Sequence, residues 1–323
     1  MMYDTIRDFH RQFSFRPEIE NRGRLARRKK ILAAGMGGSQ LAATLLPLFS
    51  PKLDIIHHRD YGLPAANIRD RLVIASSYSG NTEETLSAFH EARRRKVSLL
   101  AIASGGKLLA RARRFKVPCI ELPNLHIDPR SALGVSTMAF LAAIGVRKEL
   151  REASGLARTL MPRALEPRGQ ALARQLKGSV PVVYSSARNA PLAYIWKIKL
   201  NETGKIPAFM NVLPELNHNE MNGFDVTPHT KELCCPFHFV FLEDPADTPR
   251  IQKRMKVLAS LYRRRGLPVT PVALHGEGMF KKAFSSVVLS DWTAYHAALM
   301  YHRNPDGIPM VEEFKRLIRS NRE

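Results

Sequence analysis

Two short stretches of the chain concentrate groups that move protons. Pro214–Glu220, reading PELNHNE, holds two carboxylates and a histidine between two asparagines. Upstream, Asn201–Ala208 reads NETGKIPA and puts Glu202 at the end of a helical run. Proton abstraction beside a carbonyl needs one base of suitable pKa and a second group that handles protons on oxygen. HNE lacks the HExxH spacing of a zinc helix, so a carboxylate base with a histidine acid fits better than a metal centre. Catalytic duty and a merely polar loop stand level on composition alone.

A different chemistry is written in Leu72–Thr85, LVIASSYSGNTEET. A short apolar strand runs into the hydroxyls of Ser76, Ser77, Tyr78, Ser79 and Thr82, grouped around Gly80, and a helix follows with Asn81 available as its cap. Strand, polar turn and helix N-terminus together offer N–H groups and hydroxyls to an anion at the end of a parallel sheet. Gly35–Ser39, GMGGS, repeats the arrangement. Gly37 and Gly38 allow close backbone approach to a ligand, and Ser39 can cap the helix or bind an anion. The spacing matches neither the dinucleotide GxGxxG nor the Walker lysine motif, and glycine at such a turn also serves packing alone.

The elements that must hold these groups alternate. Apolar strands are expected at Lys30–Ala34, Asp54–His57, Leu72–Ala75, Val97–Ala101 and Val117–Leu122, with helices between them and an apolar helix over Ala132–Ile144. In the second half, strands are expected at Val180–Tyr184, Lys205–Met210, Leu233–Phe241 and Pro268–Val272. Helices are expected at Ala190–Leu200, Arg250–Arg264, Met279–Met300 and Pro309–Ile318. This density of alternation indicates parallel sheets covered on both faces. The two halves share one order of elements, so two α/β domains are expected: an arm or helix over 1–24, a first domain over 25–150, a linker over 151–169 and a second domain over 170–323.

The 323 residues, 45% hydrophobic, can bury two ordinary cores. Cys119, Cys234 and Cys235 are odd in number and lack CxxC spacing, which argues against a disulfide framework or zinc site and for a reducing compartment. Adjacent His57 and His58 point to opposite sides of a strand, a poor metal pair. The N-terminus carries acids and no long apolar run, and no stretch suffices for a bilayer span, so a cytoplasmic protein without membrane attachment is expected. The formal charge of +21 raises nucleic-acid binding. The basic residues are dispersed in short groups without a finger, RNP or zipper motif, so an Arg-rich surface that attracts a phosphorylated metabolite is favoured.

With these motifs in view, the chain resembles the archaeal-type bifunctional phosphoglucose/phosphomannose isomerases. GMGGS, SSYSGNTEET at Ser76–Thr85 and PRSALG at Pro129–Gly134 match in the first half, and NETGKIPAF at Asn201–Phe209 and PELNHNEMNGF at Pro214–Phe224 in the second. The resemblance covers roughly residues 30 to 318. It implies the sugar-isomerase (SIS) fold, with a mostly parallel five-stranded sheet in each of two α-β-α sandwich domains. It further implies that Gly37, Gly38, Ser39, Ser77, Ser79 and Thr82 hold the sugar phosphate. By the same match, Glu202 moves a proton between C1 and C2, and Arg130 stabilises the cis-enediol(ate) unless it serves only as a partner of Asp128. His218, given from the partner subunit of a homodimer, and Lys315 assist ring opening. No cofactor and no metal are implied. A threonine of the dual-specificity members aligns with Ile308, which sets glucose 6-phosphate and fructose 6-phosphate ahead of mannose 6-phosphate. The alternative is a non-catalytic phosphosugar sensor, although such regulators usually carry an added DNA-binding domain.

Overall fold

The computed structural model describes residues 1–26, 28–65 and 68–320. The chain divides into two compact units. One comprises 7–162 and 275–285; the other comprises 1–6, 163–274 and 286–323.

The N-terminal segment forms α1 (Met2–Arg7) and a 3₁₀ turn over Phe9–Ser14. The first unit then alternates β1 (Lys30–Gly35), α2 (Gly38–Phe49), β2 (Asp54–His58), β3 (Arg71–Ser76), α3 (Glu83–Arg94), β4 (Ser98–Ala103), α4 (Gly106–Arg114) and β5 (Cys119–Glu121). All pairings between these strands are parallel, in the order β2-β1-β3-β4-β5. Consecutive residues Ile31, Leu32, Ala33 and Ala34 are all buried, as a strand covered on both faces requires. The chain continues into α5 (Leu133–Ile144), buried nearly all round, and α6 (Arg147–Thr159). Phe9, Phe13, Phe49, Phe280 and Phe284 form an aromatic cluster beside α2 in this unit, with the Phe49 and Phe280 rings stacked at 4.0 Å.

Residues 151–169 are mostly helical: α6 ends at Thr159, and α7 (Pro162–Gln175) begins three residues later. The second unit then runs β6 (Val180–Ser186), α8 (Ala190–Glu202), β7 (Phe209–Leu213), the short helices α9 (Glu220–Gly223) and α10 (Lys231–Cys234), β8 (Phe237–Glu243), α11 (Pro249–Arg264), β9 (Val269–Ala273), α12 (Gly278–Met300), whose residues before Ser286 belong to the first unit, and α13 (Pro309–Ser320). Its sheet is parallel, in the order β7-β6-β8-β9.

Among the described residues this second sheet has four strands, not five. After β9 the chain enters the 23-residue α12, whose Val287, Val288, Leu289 and Trp292 are buried as helix. β9 is therefore an edge, and it carries Pro271, whose missing N–H is tolerated there. Two strand positions also move. Lys205 has a positive φ of 58° where the chain turns after α8, so β7 starts later, at Phe209. Residues 231–234 are a helical turn, and β8 begins only after Pro236.

Candidate active site

The strand order of the first unit reverses between β1 and β3. Their carboxyl ends therefore open a crevice, which is where open parallel sheets bind ligands. Both polar turns leave from these two ends. Gly37 carries φ +51° and begins the turn into α2. Ser39 is buried, and its hydroxyl accepts the Tyr78 N–H at 2.8 Å, which ties the GMGGS turn to the serine-rich turn. The Ser77 and Thr82 hydroxyls are 2.9 Å apart, and Ser77 Oγ also accepts the Gly80 N–H at 3.1 Å. Ser79 is exposed at the tip, and Thr82 is the N-cap residue of α3. The Asn81 side chain does not cap α3. Its Oδ1 accepts the Lys107 N–H at 3.1 Å and braces the neighbouring turn instead. Gly80 has φ +69°, and a Cβ there would overlap the Gly105 carbonyl, so the two turns interlock only with glycine.

Arg130 joins this crevice through its backbone. It occupies a 3₁₀ turn, Pro129–Ser131, and a Cβ on Gly38 would lie 2.4 Å from its nitrogen. The turn is fixed from the other side by Gln12, whose Nε2 donates to Ser131 O at 2.8 Å and whose Oε1 accepts the Gly134 and Val135 N–H groups. Gln12 is a supporting residue that the motif reading missed, since its signal lies over a hundred positions away in sequence. The Arg130 side chain is buried and pairs with Asp128 at 2.9 Å.

Glu202 is the last residue of α8 and is half-buried. The helix end is tightly closed: Thr203 and Gly204 both donate backbone N–H to Lys199 O. Lys205 donates from Nζ to the carbonyls of Glu202, at 2.5 Å, and Gly307, at 2.6 Å. It thereby joins the end of α8 to the approach to α13. Lys199 itself is fully buried and forms an ion pair with Asp291 of α12 at 2.6 Å. Neither lysine was singled out by motif, though Lys205 stands inside NETGKIP.

The PELNHNE segment is assigned its duties by hydrogen bonds. Glu220 accepts from the Tyr184 hydroxyl at one oxygen and from Asn211 Nδ2, at 2.5 Å, at the other. Asn219 caps α9 through the Glu220 N–H, and its Nδ2 donates to Glu215 Oε1 at 2.8 Å. Asn217 Oδ1 accepts from Arg254 at 3.2 Å. Burial and its polar neighbours push the Tyr184 hydroxyl well above the ordinary phenol range, so it stays a donor. Both carboxylates of the motif therefore brace the loop, while the ring of His218, on the turn between them, is exposed. Lys315 is likewise exposed, on α13. The phosphate-loop residues and Arg130 belong to the first unit; Glu202, His218 and Lys315 belong to the second. Among the described residues no group of three or more His, Cys, Asp or Glu gathers as a metal site, and no helix is long and apolar enough to cross a membrane.

A hydroxyl-lined switch point in one parallel α/β unit, followed by a second parallel unit rich in polar loops, defines a protein of the SIS type. Residues 166–318 match the model of the bacterial phospho-glucose isomerase C-terminal SIS domain. The fold is similar to that of a hypothetical protein from Thermus thermophilus, with TM-score 0.72 and 18% identity over 98% of this chain and 87% of the other. The bifunctional phosphoglucose/phosphomannose isomerase of Aquifex aeolicus is 33% identical, covering 97% of each chain. The protein of the same name from Caldicellulosiruptor bescii is 32% identical, covering 88% of each. The chain belongs to the bifunctional phosphoglucose/phosphomannose isomerase family.

Proposed function

We propose that this protein interconverts glucose 6-phosphate and fructose 6-phosphate, the aldose–ketose step shared by glycolysis and gluconeogenesis, as a cytoplasmic homodimer. The observation that carries the reading is the interlocked turn at the β1/β3 switch point, where Ser39, Ser77, Ser79 and Thr82 gather hydroxyls beside Gly37 and Gly38. In this reading the phosphate is a handle whose binding energy positions the reacting carbons. Glu202 removes the C2 proton of the open-chain aldose as the carbonyl electrons move to O1. A proton passes between O1 and O2, and Glu202 returns its proton to C1. The Arg130 guanidinium stabilises the cis-enediol(ate), its charge shared with Asp128. His218, acting on the partner's sugar, and Lys315 transfer protons during ring opening. Mannose 6-phosphate is the slower aldose in this reading, because Ile308 offers no hydroxyl.

A coupled assay of the purified protein on all three sugar phosphates tests this. Turnover of glucose 6-phosphate and fructose 6-phosphate with solvent exchange at C2 is expected. Phosphosugar binding without C2 exchange would instead make the protein a sensor.

A further inference from the structure

Every residue from Pro309 to Ile318 of α13 is exposed. At about 100° per residue, Met310, Val311, Phe314, Leu317 and Ile318 fall on one face spanning about 120°, with Glu313 at one edge and Lys315 at the other. Five exposed apolar side chains on a single face mark a contact surface rather than a solvated one. The start of the helix is fixed, since Lys205 holds the Gly307 carbonyl at 2.6 Å.

The same unit carries a groove of about 380 Å³ between α11 and the loop ahead of α9. On α11 it is lined first by the cations Arg250, Lys253 and Arg254 and then by Val257, Leu258 and Leu261; Asn217 of the loop and Met221 of α9 complete the lining. Val257 is 49% exposed. This lining spans about 16 Å of helix, and the α13 stripe about 12 Å, so the stripe fits within it. The order of chemistry along the two axes also agrees. After Met310 and Val311 in its first turn, α13 presents the acids Glu312 and Glu313 and then Phe314, Leu317 and Ile318; on α11 the lining cations precede the lining apolar residues.

We propose that α13 of one chain docks into the α11 groove of a second copy, with the two helices parallel and Glu313 against the Arg250–Arg254 cations. The two-fold exchange uses each surface twice and closes as a dimer. It rests on the dimer reading above and deepens it. The groove residues Asn217 and Met221 flank His218, so docking brings Lys315 of one chain beside His218 of the other. Both ring-opening groups then serve one site from different chains.

The test uses full-length protein with Cys235→Ser, which removes the exposed native thiol. One chain carries Val257→Cys and a differently tagged chain carries Phe314→Cys; the two are co-expressed and oxidised. A covalent heterodimer is expected. In a chain carrying both cysteines, a covalent dimer is expected rather than an internally bridged monomer. A monomer-sized internal bridge, or no bridge in a protein that light scattering shows to be dimeric, overturns the exchange and leaves the dimer standing. A monomeric full-length protein overturns both. As a cysteine-free check, Glu313→Arg should weaken dimerisation at least tenfold and Lys253→Glu in the same chain should restore it; an unchanged dissociation constant for Glu313→Arg contradicts the pairing.

Discussion

The two sheets present the same kind of crevice and fill it with opposite chemistry. Between β1 and β3 the strand ends carry Ser39, Ser77, Ser79 and Thr82, with backbone N–H groups at helix starts. The equivalent reversal of strand order, between β6 and β8, carries Ser186 and Asn189 on one side and Asp244 and Asp247 on the other. There the donors are already committed: Ser186 Oγ donates to Asp247 at 2.8 Å, and Asn189 Nδ2 to Asp244 at 3.1 Å. Burial, aided by the charge of Asp244, pushes the Asp247 carboxyl above its ordinary value, with Ser186, Arg188 and Asn189 pulling it partly back. The first crevice is lined by hydroxyls and helix-start N–H groups, the second by two carboxylates. Topology thus supplies two candidate pockets, and the sign and allocation of polar groups selects one.

If chemistry belongs to the second unit and anchoring to the first, the largest effect should come from Glu202. Glu202→Gln keeps shape but removes the base, and should lower turnover by about 10²–10⁴-fold. C2 deuterium washout followed by NMR, beside a melting curve, reads this directly. Substantial washout in the folded variant would pass the role to another group.

Next in size is the buried ion pair behind α8. Lys199→Met leaves Asp291 charged and buried, and should destabilise by about 3–5 kcal/mol, whereas Lys199→Met with Asp291→Leu should recover most of it. Denaturant titration of the three proteins decides whether this pair, rather than packing alone, holds the end of α8 that carries Glu202.

The contrast between crevices is sharpened by hydroxyl deletions. Ser79→Ala with Thr82→Ala should weaken phosphosugar binding by about 1.5–3 kcal/mol for each charge-assisted bond lost. Ser186→Ala at the second crevice should leave the inhibition constant of a phosphosugar analogue unchanged. Equal effects at both would erase the distinction.

The smallest effect concerns pH. Asp247 binds its proton more tightly folded than unfolded, so its charge opposes folding at neutral pH. That opposition disappears as pH falls through the raised folded value to below 3.8. Asp247→Asn should raise Tm by about 2 °C at pH 7 and by nothing near pH 3. A gain that persists in acid would point to packing instead.

The site was unevenly legible in the chain. The hydroxyl-rich turn could be read because its information is local: hydroxyls, glycines and helix start lie within a dozen residues, and Gly80 and Gly38 are required by close backbone approach. The support of Arg130 by Gln12 could not be read, because nothing in the sequence near Pro129 names a partner 119 positions away. PELNHNE was legible as dense in polar groups but not in its division of labour. Only the fold brings Tyr184 and Asn211 to Glu220 and so commits that carboxylate to bracing. The four strands of the second sheet and the long helix after them were legible in the chain, since the residues give four strands and a helix over Met279–Met300; the fifth strand came only from what the resemblance implied.

By itself the sequence determined the alternation of strand and helix, the parallel sheets, the two-unit organisation and the position of the hydroxyl-rich turn between β3 and α3. Each of these follows from periodicity and from residues close together in the chain. The tertiary structure alone decided which crevice keeps its donors available, which carboxylates are spent on hydrogen bonds, and which lysines lock the end of α8. These depend on partners that meet only through folding, where burial makes an unpaired charge or polar group costly and so forces each one to a definite neighbour.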